Sequence, residues 1–223
     1  MHIPDGYLGP QTCGFFYLLM LPVWARASRI VNKNLNARQV PMLAIGAAFS
    51  FVIMLFNIPI PGGTSGHAIG AVLIAILLGP WAACIAVTVS LAILAFLFGD
   101  GGITTLGANC FNMAFVLPFS GYYLYRCIGY NSKIGSKRRI VAAAVAGYLG
   151  LNLAALIAGL ELGLQPLIQK ALNSTVLYAP YGLNIVLTVM EGEHLLIFGW
   201  AEALVTALVL KYVQKEFPRL LPL

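Results

Sequence analysis

Seven apolar stretches, several close to the ~20 residues that carry a helix across a bilayer, decide what this chain can become. Hydrocarbon offers the backbone no water, so a spanning segment has to satisfy its own peptide groups and is therefore helical. The stretches run from about Tyr7 to Ala25, Val40 to Asn57, His67 to Leu78, Trp81 to Phe98, Leu106 to Cys127, Ile140 to Leu160, and about Leu195 to Val213. The third is too short to cross alone; it is expected to pair with the fourth through the Gly79-Pro80 turn, shielded by its neighbours. Hydrophobic residues make up 60% of the chain and charged residues 9%, where a soluble domain carries roughly 25% charged residues. The expected fold is an all-α membrane protein: one domain over residues 1–223, a bundle of seven transmembrane helices.

The basic residues orient that bundle. Arg26, Arg29, Lys33 and Arg38 follow the first span, Arg126, Lys133, Lys137, Arg138 and Arg139 surround the fifth-to-sixth connection, and Lys211, Lys215 and Arg219 follow the last. Of the 13 basic residues only Lys170 falls on the other side. The positive-inside rule then puts the N-terminus outside and the C-terminus in the cytoplasm, as a multi-pass protein of the inner membrane. The net charge of +6 reads as this topology signal rather than as a nucleic-acid footprint. The first polar residues run straight into a span, without a basic leader or small-residue cleavage site, so no cleavable signal peptide is expected.

Other segments are less regular. From Gly163 to Glu193, Leu164, Leu167, Ile168, Ala171 and Leu172 recur at helical spacing among Gln165, Gln169, Lys170 and Asn173. This predicts an amphipathic helix on or dipping into the outer interface, ended by Tyr178 to Gly182. Small residues four apart (Ala44 and Ala48, Ala71 and Ala75, Ala142 and Ala146, Ala154 and Ala158) suit close helix packing, and one outward-facing stripe would suit a membrane partner. Cys13, Cys84, Cys110 and Cys127 lack zinc-site spacing and read as small buried side chains.

With that topology, the chemically unusual residues share the outer face. Met1-His2 offers an α-amine, a backbone amide and an imidazole in a row. Once the amide loses its proton, the three close a five- and a six-membered chelate ring around one ion, an in-plane set that suits Ni(II) or Cu(II). His67, in the glycine-rich stretch Pro61-Gly62-Gly63-Thr64-Ser65-Gly66-His67-Ala68-Ile69-Gly70, supplies the missing fourth nitrogen. Pro4 and Asp5-Gly6 turn the chain so that its tip folds back into the bundle. Asp5 is read either as a carboxylate bonded to a ligating imidazole or as the N-cap of the first helix. The loop Gly99-Asp100-Gly101-Gly102-Ile103-Thr104-Thr105 lacks the strand and lysine of a nucleotide loop and is expected to close over the site. Asn109 and Asn112 share a helical face and need polar partners, in these loops or on another helix. His194 reads as a charged loop cap or a transient metal relay, and Glu202 as an intramembrane carboxylate with either a proton-linked role or that of a polar strut.

Met1-His2-Ile3-Pro4-Asp5-Gly6-Tyr7-Leu8, Gly66-His67-Ala68-Ile69-Gly70, Leu78-Gly79-Pro80-Trp81-Ala82-Ala83 and Phe98-Gly99-Asp100-Gly101-Gly102-Ile103-Thr104 together resemble the CbiM/NikM family. These are substrate-binding membrane components of energy-coupling-factor transporters for cobalt and nickel. The resemblance implies that Met1, His2 and His67 bind Ni(II) or Co(II) as transported ligand, with no cofactor. It also implies a transmembrane coupling component, cytoplasmic ATPase subunits and a small accessory membrane subunit as partners. The chain itself carries no P-loop. Two other readings stay open on the residues alone. One is an autonomous channel or secondary transporter. The other is an intramembrane enzyme using His67 or His194 as a base, for which no nucleophile stands out.

Overall fold

Proline sits in the first turn of three of the seven helices among the described residues. Its fixed φ suits the first turn and its missing N–H costs nothing there. The chain, seen in a computed structural model, is described at residues 1–35, 39–60, 64–172 and 178–220. Arg38, Pro61, Gly62, Gly63 and Asn173, all drawn on above, lie outside that range.

Pro10 opens α1 (Pro10–Asn34) and Pro41 sits in the first turn of α2 (Val40–Leu55). A short antiparallel hairpin follows, β1 (Ile58–Ile60) with β2 (Thr64–Gly66), in which Ile58 faces Gly66 and Ile60 faces Thr64. Then come α3 (Ala71–Leu78) and, straight after Gly79, α4 (Pro80–Phe98). Residues 106–128 form α5, in which a π-helical stretch, Cys110–Val116, separates Leu106–Asn109 from Leu117–Ile128. α6 (Lys137–Ala171), capped by the Ser136 side chain accepting from the Arg139 N–H, and α7 (Leu183–Glu216) complete the bundle. The chain is therefore nearly all helical, with a two-stranded hairpin that the all-α expectation lacked. Among the described residues, α4, α6 and α7 are long and apolar enough to cross a membrane, and α2 is a shorter apolar helix.

The short third segment is the centre of the molecule. Ala71, Val72, Leu73, Ile74, Ala75 and Ile76 are all buried, as befits a helix apolar on every side. It packs against α4, α6, the second half of α5 and parts of α2 and α7. The exterior is apolar too: Leu18, Phe56, Leu97 and Leu196 are largely exposed, an arrangement that lipid, not water, solvates. Three of the small-residue pairs are buried, whereas Ala44 and Ala48 are exposed, which identifies the outward stripe. Three of the four cysteines are buried and Cys127 is exposed.

Three boundaries differ from expectation. α1 runs past Ala25 to Asn34, so Arg26, Arg29 and Lys33 lie on its last turns rather than in a loop. α7 begins at Leu183, well before Leu195, because the apolar run through Met190 continues the helix across Glu191 and Glu193. The amphipathic surface helix is not present. Residues Gln165–Ala171 extend α6, with Gln165 and Gln169 buried and Leu164, Leu167 and Leu172 exposed. Apolar surroundings invert the usual pattern, and the N-terminal segment supplies the Gln165 amide with a partner: Gly9 N–H donates to Gln165 Oε1 at 3.0 Å.

Candidate metal centre

The first three residues are inside the protein. Met1 is 7% exposed, the His2 side chain 4% and Ile3 1%. Ile3 is held by its main chain. Its N–H donates to Asn109 Oδ1 at 2.8 Å, and its carbonyl accepts from Asn109 Nδ2 at 3.0 Å, from Gly102 N–H at 2.9 Å and from the Thr105 hydroxyl. One asparagine on α5 thus reads both polar groups of a peptide more than a hundred positions away, as a neighbouring strand would. Two residues on, the Asp5 carboxylate accepts from the N–H groups of Ile103 at 3.1 Å and Thr104 at 2.8 Å. Gly102 is required for this approach: a Cβ there would run into the main-chain nitrogen of Asp5.

The clamp delivers His2 to His67. Their ring centroids are 4.6 Å apart. His67 follows β2, and its Nδ1 lies 3.0 Å from the Ala68 carbonyl. A carbonyl only accepts, so Nδ1 carries the proton and Nε2 presents its lone pair, buried and without a hydrogen-bond partner. The turn after it is fixed by Glu202 of α7, whose carboxylate accepts from Ile69 N–H at 2.7 Å and Gly70 N–H at 2.9 Å. Gly70 sits at φ +73°, a left-handed conformation that suits glycine. A carboxylate at the start of α3 also suits the helix dipole. Glu202 thus makes the contacts expected of a polar strut.

His2 Nδ1 lies 2.8 Å from Asp100 Oδ1, an ion-pair distance off the line of a hydrogen bond. Burial lowers the pKa of the Met1 amine below its ordinary 8.0, against the pull of the Glu193 and Asp100 carboxylates. Burial likewise lowers His2, with Asp100 opposing. His67 falls well below its ordinary value through burial first and then through His2 and the amine. Burial thus favours the neutral forms of these three nitrogens, the forms that donate to a cation. Among the described residues no three His, Cys, Asp or Glu side chains form a metal cluster.

Met1, His2 and His67 are brought to one place, and the loop of residues 99–105 closes over them. Asp5 plays neither of its expected parts. It bonds loop N–H groups, and the carboxylate beside an imidazole is Asp100. Asn109 contacts the coordinating segment, whereas Asn112 bonds Glu161 Oε2 across to α6 at 2.9 Å. His194 is not in a loop but wholly buried within α7, with its Nδ1 2.7 Å from the Met190 carbonyl. The π-helical stretches Leu94–Phe98, Cys110–Val116 and His194–Phe198 adjoin Asp100, Asn109 and His194. Such one-turn irregularities gather at functional sites and leave no mark in hydropathy.

Comparison with known proteins agrees with this geometry. The profile of the CbiM family, described as the cobalt uptake substrate-specific transmembrane region, matches residues 2–220. LarMN of Lactiplantibacillus plantarum, named a probable fused nickel transport protein, is 48% identical over 98% of this chain and 66% of its own length. The fused nickel transport protein NikMN of Rhodobacter capsulatus is 48% identical over 99% of this chain and 64% of its own. The chain thus spans about two thirds of these fused relatives. The crystal structure of a truncated transition metal transporter superposes with a TM-score of 0.90 at 51% identity, covering 96% of this chain and 99% of that one. All three are named as transporters, none as an enzyme.

Proposed function

The chain belongs to the CbiM family, the substrate-specific transmembrane region of cobalt uptake, and from that premise we propose that it captures Ni(II) or Co(II) for import through Met1, His2 and His67. The amine and amide of the first peptide, the His2 imidazole and His67 Nε2 form the donor set. The observation that carries this reading is the buried N-terminus clamped against an imidazole whose Nε2 has no other partner. Nitrogen donors select against Mg(II) and Ca(II), which want oxygen. Cu(II) would bind the same set more tightly by the usual affinity order, so its exclusion falls to availability and loop geometry.

The chain lies in the plasma membrane as a multi-pass protein, with the N-terminus outside and twelve of its basic residues on the cytoplasmic side. It works as the binding subunit of an ATP-driven energy-coupling-factor importer, alongside a transmembrane coupling component, cytoplasmic ATPase subunits and a small accessory membrane subunit. The nickel named in the fused relatives and the cobalt named in the family profile support this substrate class. The test is calorimetric titration of Ni(II) into the purified chain, with its α-amine free or acetylated. Acetylation is expected to abolish high-affinity binding while the helical circular dichroism is retained. Unchanged affinity would overturn the chelate.

A further inference from the structure

α7 brackets His67 from both sides. Phe198 and Glu202 are four apart on that helix and so share a face. Phe198, wholly buried, lies against Gly66, where even a Cβ would run into its ring. Glu202, also wholly buried, takes up the N–H groups that follow the histidine. Its Oε2 accepts from Ile69 at 2.7 Å and from Gly70 at 2.9 Å, and its Oε1 from Gly70 at 3.1 Å. The helix is itself pinned at this level, since a Cβ at Gly147 of α6 would lie 3.1 Å from the Glu202 carbonyl. The Ile69 N–H belongs to the same peptide as the Ala68 carbonyl, and that carbonyl accepts from His67 Nδ1 at 3.0 Å. In a trans peptide the two groups point in opposite directions. The bonds therefore run in series, from imidazole N–H to carbonyl and from amide N–H to carboxylate.

We infer that Glu202 is a positioning residue for ion capture: through the Ala68–Ile69 peptide it holds the proton of His67 on Nδ1 and keeps Nε2 bare and electron-rich. Each bond in a hydrogen-bonded series polarises the next. A carboxylate bonded directly to a ligating imidazole fixes its tautomer and raises the basicity of the far nitrogen; here one peptide stands between them. A mere strut would need an acceptor and no charge, and a charge is costly to bury. Carboxylates inside spanning segments are accordingly rare and mark function. Without the charge the Ala68 carbonyl is a weaker acceptor, and the proton is shared with Nε2, which then has no lone pair to offer. The inference rests on the proposed metal site for its ion, whereas the tautomer exists with no metal bound.

The test uses the full chain with its native N-terminus, metal-free and 15N-labelled at its three histidines. Imidazole 15N shifts separate a protonated ring nitrogen from a bare one, and the His67 signals are assigned by their loss in His67→Gln. Wild type is expected to show the Nδ1–H form. Glu202→Gln keeps the shape and one oxygen acceptor but not the charge. In it the Nε2–H form should appear, and Ni(II) affinity should fall about tenfold or more. A residue that only braced the turn would lower Tm and leave the tautomer alone. A wild-type tautomer or an unchanged affinity in Glu202→Gln overturns the inference. Should that variant not fold, the wild-type spectrum decides. His67 protonated on Nδ1 with a strongly downfield Ile69 amide proton supports the series; His67 protonated on Nε2, or an ordinary Ile69 shift, overturns it. The chelate is read separately, since equal Ni(II) affinities of the free and acetylated chains would sink that reading and leave the metal-free tautomer as measured.

Discussion

The carbonyl of Ile3 accepts three hydrogen bonds, whereas among the described residues the Nε2 atom of His67 accepts none. Both regions are buried and both are polar. A polar group left unpaired in a low-dielectric interior costs about 1–3 kcal/mol, so chains that leave one bare gain little from packing alone. The contrast separates two jobs. Around Ile3, Asn109, Gly102 and Thr105 fix the path of the N-terminal segment. At His67, the same protein keeps a nitrogen lone pair buried and unspent, as suits a place where a cation is held.

Substitutions should pull the two regions apart. The largest effect on binding belongs to His67→Ala, which removes one bare nitrogen and leaves the clamp alone. Ni(II) affinity should fall more than about 100-fold, beyond what is typical for residues that merely support a ligand, with little change in Tm. An affinity equal to wild type would take His67 out of the site. Asn109→Ala acts on the other side of the contrast. It strands the N–H of Ile3 and deprives its carbonyl of one donor, at a cost of about 1–3 kcal/mol. Thermal unfolding should shift downward and Ni(II) affinity should drop about tenfold, because the tip of the chain is no longer held. A normal Tm with lost binding would show that Asn109 belongs to the ion rather than to the clamp. Gly102→Ala is expected to do the same more weakly. The added methyl has to push Asp5 aside, an overpacking cost of about 1–3 kcal/mol that a small shift of an exposed segment relieves in part.

Hydropathy located every helix but set some of their ends wrongly, and the reason is visible in particular residues. Glu191, Glu193 and His194 look like a loop because charge usually marks one. Here they lie on a helix that faces a polar site, and the apolar spacing of Ile185, Val186, Val189 and Met190 was the signal that it continued. Gln165 and Gln169, four apart and therefore on one face, suggest a face toward water; in lipid the same face turns inward. Met1, His2 and His67 stood out because their chemistry is rare at those positions. Asp100 did not, since nothing local ties a loop carboxylate to a residue 98 positions earlier. That pairing comes from the Asp5 and Ile3 contacts to the loop, which are long-range. The π-helical stretches beside Asp100, Asn109 and His194 have no sequence signature, so the irregularities nearest the site were the least legible.

Asp5 gives the smallest effect and the finest test of the clamp. Its exposed carboxylate accepts from the N–H groups of Ile103 and Thr104 and from the Thr104 hydroxyl. The Thr104 hydroxyl, helped by the loop N–H groups, lowers its pKa below the ordinary 3.8, with burial opposing. A carboxyl whose pKa is lower folded than unfolded contributes stability above the unfolded value and loses it as pH falls through the folded one. Asp5→Asn keeps an acceptor but not the charge, so at neutral pH it should cost about 0.5–1 kcal/mol, the range of a single hydrogen bond. The gap in Tm between wild type and Asp5→Asn should then hold steady from pH 7 down to the ordinary carboxylate range and narrow only as pH falls below the ordinary 3.8. The amide does not titrate, whereas the native carboxylate does. A gap that persists even there would mean that Asp5 shapes the loop by its form alone, and that the clamp rests on Asn109 and the Ile3 main chain.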